Sequence, residues 1–174
     1  MKFKKIAIIG CGNLGASLTK GLLKTGDYKN EDIIVSEIRE RRRQQLKGLG
    51  FQVTDNNKTA VSEADLVIIA VKPQQAKTLL NEISNLVKKD KQIIAYTVSG
   101  LAISDVEEKL GVVPIFRLMP NTAIEIGESM TCISYKNADK KVVESMVSLF
   151  EKLGRTIIII EELMAAATVL GACG

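Results

Sequence analysis

Histidine and tryptophan are absent from the 174 residues. Without histidine, Ser-His-Asp hydrolysis, imidazole metal sites and a histidine general acid are all excluded. Any chemistry must then come from a cofactor, a lysine or a carboxylate. Aromatics are scarce, with three Tyr and four Phe, and the net charge is only +4. That offers little for stacking bases or gripping a phosphate backbone, so no nucleic-acid partner is expected. Cys11, Cys132 and Cys173 lie far apart and are odd in number, which argues against a disulfide framework or a structural metal site and fits a reducing cytoplasm. No apolar run approaches ~18 residues, so no membrane span is expected. The first apolar run, Ile6 to Ile9, is too short for a secretory signal.

What is present is an ordinary globular composition, 46% hydrophobic and 25% charged, in a chain long enough to bury a real core. Its organising stretch is Lys5-Ile6-Ala7-Ile8-Ile9-Gly10-Cys11-Gly12-Asn13-Leu14-Gly15. Four consecutive apolar residues read as a strand buried on both faces. The pattern Gly10-x-Gly12-x-x-Gly15 follows at once, and Leu14, Leu18 and Leu22 then recur at helical spacing. Strand, glycine turn and helix together make a dinucleotide-binding fingerprint. Gly10 makes the tight turn, Gly12 lets a pyrophosphate approach bare backbone, and Gly15 lets the helix pack closely on the strand. The helix N-terminus offers unpaired N–H groups and a partial positive charge to the phosphates.

Further strands are expected at 32–36, 51–54, 64–71, 92–96, 112–118, 129–135 and 156–160, each from a short apolar run bounded by turn residues. Helices are expected between them. One begins at Pro73 with the apolar face Ala76, Leu79, Leu80, Ile83 and Leu86. Another opens on the capping-box spacing Ser104-Asp105-Val106-Glu107. A third carries Val142, Val143, Met146, Val147, Phe150 and Leu153 and stops at Gly154. Pro114 hints that its strand lies toward a sheet edge. The alternation gives an α/β fold, a doubly wound, mostly parallel Rossmann-type sheet with helices on both faces. Residues 1–160 are expected to form this domain. The apolar tail 161–174 reads as a C-terminal helix, either docked on the sheet or opening a second, all-α domain.

Such a fold aligns the strand ends at Ile9-Gly10, Ser36, Ala70-Val71 and Val98-Ser99-Gly100 along one edge, where a nucleotide would lie. Glu37 follows Gly15 by roughly 20 residues, where an acidic side chain would hold the adenosine ribose hydroxyls. Arg39, Arg41, Arg42 and Arg43 come next, where arginines would instead meet a 2′-phosphate. A merely solvated helix face over residues 39–47 accounts for them equally well. The cofactor reading leans to NADP (NADPH) on Arg39 and Ser36, with NAD left open by Glu37.

The segments Ile9-Gly10-Cys11-Gly12-Asn13-Leu14-Gly15, Ala70-Val71-Lys72-Pro73, Ser99-Gly100 and Arg117-Leu118-Met119-Pro120-Asn121-Thr122 resemble pyrroline-5-carboxylate reductases, which complete proline biosynthesis. The resemblance covers essentially the whole chain in register. It implies reduction of 1-pyrroline-5-carboxylate to L-proline with hydride from NAD(P)H. It also implies nucleotide contacts at residues 10–14, Ser36, Asn57, residues 70–73 and residues 98–100, with Met119, Pro120 and Asn121 on the substrate side. Lys72 is weighed as a proton donor and preferred as a positioning or capping residue, so no catalytic residue is assigned within this chain.

Leu163-Met164-Ala165-Ala166-Ala167-Thr168-Val169-Leu170 looks like the start of that family's helical, dimerising domain, which implies a homo-oligomer for the longer protein. The family's Ser-Gly-Ser-Gly-Pro is replaced by Gly171-Ala172-Cys173-Gly174, and the chain is expected to represent only the cofactor-binding half. Two other readings remain open. One is a related Rossmann dehydrogenase, of the deazaflavin-dependent NADP reductase or β-hydroxyacid dehydrogenase type. The other is a non-catalytic nucleotide-binding module.

Overall fold

In the computed structural model, which describes residues 2–172, the first expectation holds without adjustment: Ile6–Ile9 is strand β1, fully buried. Helix α1 (Asn13–Lys24) follows the glycine turn. The chain then alternates through β2 (Ile33–Ser36), α2 (Glu40–Gly48), β3 (Gln52–Thr54), α3 (Asn57–Glu63), β4 (Leu66–Ile69), α4 (Pro73–Ile83), β5 (Ile93–Tyr96) and α5 (Ile103–Leu110). Strand β6 (Ile115–Met119) leads through a 3-10 turn, Thr122–Ile126, into β7 (Ser129–Lys136). Helix α6 (Lys140–Glu151), β8 (Gly154–Ile158) and α7 (Met164–Ala172) complete the order; further 3-10 turns stand before β2 (Asn30–Asp32) and before α7 (Glu161–Leu163).

All eight strands form one sheet in the order β3-β2-β1-β4-β5-β6-β7-β8. Every neighbouring pair is parallel except β6 and β7. The unbroken apolar strands divide their side chains between two cores because successive residues point to opposite faces. Ile6, Ile8, Leu66 and Ile68 join Leu18, Leu22, Met146 and Phe150 on one side. Ala7, Ile9, Val67 and Ile69 join Leu79, Leu80, Ile83 and Val106 on the other. Each such Ile, Leu, Val, Met or Phe side chain contributes about 2 kcal/mol on burial, so the central strands anchor the fold.

Several boundaries differ from the sequence reading, each for a physical reason. Strand β6 is internal, flanked by β5 and β7, and not toward an edge. Pro114 stands just before it and contributes only its carbonyl, which accepts from Ile94 N–H at 2.9 Å. Helix α5 starts at Ile103, so Ser104 is not its cap. Asp105 Oδ2 takes the Ala102 N–H at 3.1 Å, and Glu161 Oε1 takes the Ile103 N–H at 2.7 Å. A carboxylate from far along the chain thus satisfies the amide that sets the start. Strand β8 begins at Gly154 instead of Thr156. There φ is +139°, and a Cβ would stand 2.0 Å from Ser129 O, so only glycine admits the pairing with β7. Helix α6 begins two residues earlier than its apolar pattern, because Asp139 Oδ1 caps it through Val142 N–H at 2.8 Å.

The tail segment packs on the sheet through α7 contacts with β6 and β7, and Met164 is fully buried. Its neighbours Leu163, Val169 and Leu170 are exposed, as are Ile157 and Ile158 of β8. Of the altered stretch expected at 171–174, Cys173 and Gly174 lie outside the described residues. Among the described residues no helix is long and apolar enough to cross a membrane.

One polar link ties this tail to the sheet. Arg117, 9% exposed in the middle of β6, places Nη1 3.0 Å from Glu161 Oε1. Removing the carboxylate would strand a buried guanidinium whose Nε already has no hydrogen-bond partner. Because the Glu161 side chain is 30% exposed, the cost is discounted to about 2 kcal/mol. Glu161→Ala is therefore expected to lower the unfolding free energy by about 2 kcal/mol in urea titration, and Glu161→Gln by less. A loss below about 0.5 kcal/mol for the alanine variant would show that the tail docks without the pair.

Candidate nucleotide-binding site

The sheet order reverses between β1 and β4, and in open α/β sheets that reversal opens a crevice beyond the strands' carboxyl ends. The strand ends there are level. Ile9 pairs with both Ser36 and Ile69, Gly10 N–H donates to Ser36 O at 2.8 Å, and Ala70 N–H donates to Ile9 O at 2.8 Å. A cavity of about 410 Å³ lies over this junction.

The three glycines separate by physical role. Gly10 has φ +89°, and a Cβ there would stand 2.8 Å from Ala70 O. At Gly15 a Cβ would stand 2.3 Å from Gly10 O, so the helix sits directly on the turn. Gly12 differs: a Cβ added to it meets nothing within 4 Å. Its missing side chain leaves room in the crevice and is not demanded by the fold. Gly12 is also the N-cap of α1 and supplies no capping side chain, so the first amides of a twelve-residue helix are left to a ligand or to water. This is a cradle that fits the phosphates of a dinucleotide.

Of the residues singled out from the sequence, Ile9, Gly10, Cys11, Gly12, Ser36, Arg39, Asn57, Ala70, Val71 and Lys72 line the cavity. Asn13, Leu14 and Gly15 continue into α1, and Pro73 is the first residue of α4. Val98, Ser99 and Gly100 follow β5; Met119 ends β6, and Pro120 and Asn121 follow it. These two groups occupy the same sheet edge but stand outside the cavity wall. Val98, Met119 and Pro120 are buried, while Ser99 and Gly100 are exposed. Asn121 Oδ1 accepts from Ala123 N–H at 3.1 Å and so caps the 3-10 turn. Lys72 is the N-cap residue of α4 and is exposed, and its side chain makes no capping hydrogen bond to that helix.

The far end of the cavity is polar. Ser36 Oγ donates to Asn57 Oδ1 at 2.7 Å, and Asn57 Nδ2 donates to Glu82 Oε2 at 3.0 Å. Glu37 is buried, and both its oxygens are taken by Arg39, through Nε at 3.0 Å and Nη2 at 2.9 Å. Burial pushes the Glu37 carboxyl up, but the hydrogen bonds and charge of Arg39 outweigh it and hold the group below the usual carboxylate range. The arginines are more than a solvated face. Arg43 donates to Glu37 O at 3.1 Å and Ile38 O at 2.6 Å, and Arg42 reaches back to the glycine turn. Arg41 alone is simply exposed. Cys11 is fully buried in the turn, and burial, opposed in part by Arg42, pushes its thiol up to about 12.

Sequence reasoning missed the wall that α4 supplies: Gln75, Thr78 and Glu82 face the cavity. Their spacing of three and four was available as the polar counterpart of the apolar face, which alone had been read. It also missed Gly21, where a Cβ would stand 2.4 Å from Ile124 O. That contact lets the 3-10 turn after Asn121 lie against α1. Among the described residues no group of three or more His, Cys, Asp or Glu could hold a metal.

The family model described as NADP oxidoreductase coenzyme F420-dependent matches residues 5–99. Pyrroline-5-carboxylate reductase 2 of Dictyostelium discoideum is 39% identical over 188 residues, covering 98% of this chain and 62% of that protein. Pyrroline-5-carboxylate reductase of Methanosarcina acetivorans is 32% identical, covering 100% of this chain and 65% of that protein. The chain thus spans less than two thirds of the length of these relatives. Among solved structures, a pyrroline-5-carboxylate reductase of Coxiella burnetii superposes with a TM-score of 0.88 at 25% identity, covering 97% of this chain and 63% of that one. Pyrroline carboxylate reductase of Plasmodium falciparum, solved with NADP bound, shares the fold at a TM-score of 0.89 and 24% identity, covering 100% of this chain and 64% of that one. By the match over more than half its length, the chain belongs to the NADP oxidoreductase coenzyme F420-dependent family, and over nearly all its residues it is similar to pyrroline-5-carboxylate reductases.

Proposed function

We propose that this chain is the nucleotide-binding part of an oxidoreductase that reduces 1-pyrroline-5-carboxylate to L-proline, with NADPH preferred to NADH. The observation that carries the reading is the open space over Gly12 at the β1–β4 reversal, beside an uncapped helix N-terminus. Gly10, Cys11, Gly12, Asn13 and Leu14 would hold the pyrophosphate. Ser36, Arg39 and Asn57 would hold the adenosine end. Residues 70–73 and 98–100 would face the nicotinamide, and Met119, Pro120 and Asn121 the substrate. A bound NAD(P)H would supply the hydride.

The lack of histidine suits this reaction. A protonated imine is already electrophilic, so the protein mainly aligns donor and acceptor and keeps competing water away. No residue of this chain is assigned a proton transfer. The preference for NADPH rests on Arg39, whose side chain is 62% exposed at the cavity and can exchange Glu37 for a 2′-phosphate. The description of the family model favours a deazaflavin-dependent NADP reductase as a second reading, but it covers only residues 5–99. Arg117-Leu118-Met119-Pro120-Asn121-Thr122 lies outside that span and favours the imine reductase.

Residues 1–160 are taken as the cofactor-binding unit and 161–174 as the opening of a helical part. The exposed Ile157, Leu163, Val169 and Leu170 support a further packing partner there, in keeping with a homo-oligomer. The free thiols of Cys11 and Cys132 suit a reducing cytoplasm.

Titration of the chain with NADPH and NADH, followed by nucleotide fluorescence, is expected to show saturable binding with NADPH the tighter. Absence of binding to both would overturn the reading. Arg39→Ala is expected to weaken NADPH about tenfold and NADH by less than about twofold, the value of one charge-assisted contact. Equal losses would remove Arg39 from cofactor selection. Gly12→Val is expected to abolish binding of both nucleotides while the thermal midpoint stays within a few degrees, because its side chain enters only the crevice. Unchanged affinity in the folded variant would move the pyrophosphate elsewhere. Pyrroline-5-carboxylate turnover separates the two enzyme readings.

A further inference from the structure

Arg42 stands in α2, yet its guanidinium is spent on the turn between β1 and α1. Nε donates to Cys11 O at 3.0 Å, and Nη2 reaches Gly12 O at 3.5 Å. Nη1 donates to Gln45 Oε1 at 3.2 Å, which fixes the plane of the fork from its own helix. The side chain is half-buried, and Cys11 and Gly12 both line the cavity.

A trans peptide points its carbonyl and the following N–H in opposite directions. A carbonyl held toward α2 therefore turns the next amide away from α2. With Cys11 O held, the Gly12 N–H is directed to the opposite side of the turn. With Gly12 O held, the same applies to the Asn13 N–H. Gly12 O also accepts the first helical bond, from Ala16 N–H at 3.1 Å, so two donors fix that peptide. Arg42 is thus placed behind the turn, where it orients the amides and adds positive charge without occupying the ligand's space.

We propose that Arg42 is a positioning residue of the phosphate-binding turn, aiming the Gly12 and Asn13 amides into the crevice and supporting every dinucleotide alike. The proposal rests on the nucleotide-binding reading above and deepens it. It divides two arginines that look interchangeable in sequence: Arg39 selects among nucleotides, and Arg42 holds the turn they share. Lysine cannot replace it, because a single ammonium lacks the planar fork that joins two carbonyls and Gln45.

The test measures dissociation constants of NADPH, NADH, ADP-ribose and adenosine 2′-monophosphate for the full chain and for Arg42→Gln and Arg42→Lys. The last ligand carries the adenosine and the 2′-phosphate but no phosphate on the 5′ side. Both variants are expected to lose about tenfold on NADPH, NADH and ADP-ribose, and to hold adenosine 2′-monophosphate within about twofold. Backbone amide order parameters at Gly12 and Asn13 should fall in both variants without nucleotide, a change that a role confined to docking α2 would not produce.

A loss confined to NADPH and adenosine 2′-monophosphate would overturn the proposal and make Arg42 a 2′-phosphate contact. Recovery of affinity in Arg42→Lys would overturn it in favour of charge alone. Unchanged affinities in both variants would leave Arg42 a fold residue only. Should Arg42→Gln fail to fold, Arg42→Lys carries the same comparison. If the unsubstituted chain binds none of the four ligands, the nucleotide-binding reading falls first; if it binds and the variants bind equally well, only the Arg42 assignment falls.

Discussion

The contact on which this structure depends is the approach of α1 to the carbonyl of Gly10, so close that a Cβ on Gly15 would stand 2.3 Å from that oxygen. Any side chain at Gly15 would push the helix off the strand. The helix N-terminus would then leave the sheet edge, and the crevice at the β1–β4 reversal would lose one wall. Gly10 completes the arrangement with a positive φ and a close fit against Ala70 and Val71. Position, dipole and space at the site follow from two backbone contacts that no larger residue permits.

Around that contact the site is layered. The backbone turn faces the cavity from below, and Ser36, Asn57 and Glu82 form a hydrogen-bonded chain along its far end. Glu37 and Arg39 neutralise one another at the rim, and Arg42 holds the turn from behind. Glu37, an acidic residue of the kind suited to a ribose, and Arg39, an arginine of the kind suited to a phosphate, are bonded to one another. The two signals are partners in one ion pair, and a ligand with its own charge can redistribute it.

The tail shows a different balance. Its turn is anchored by Glu161, which joins Arg117 of β6 and the first amide of α5, and its helix buries Met164. Beyond those points it carries exposed apolar side chains, and so does the outer strand β8. An open strand edge with exposed isoleucines is a surface that proteins usually cover.

The sequence by itself determined the strands, the helices and the glycine turn, because each rests on short-range rules. Four apolar residues in a row place side chains in both cores, and the glycine spacing encodes its own backbone geometry. It also carried Ile9 to Gly12, Ser36, Ala70 and Val71 of the cavity wall, since their strand ends follow from sheet order. Only the tertiary structure decided where distant groups meet. Glu161 sets the start of α5 in place of the local Ser104 motif, Ser129 makes Gly154 the opening of β8, and Gly21 receives Ile124. The polar face of α4 became a wall only once the sheet had placed it over β4. Hydrogen bonds such as that of Arg42 to Cys11 join residues whose separation along the chain carries no periodicity, so no local pattern could announce them.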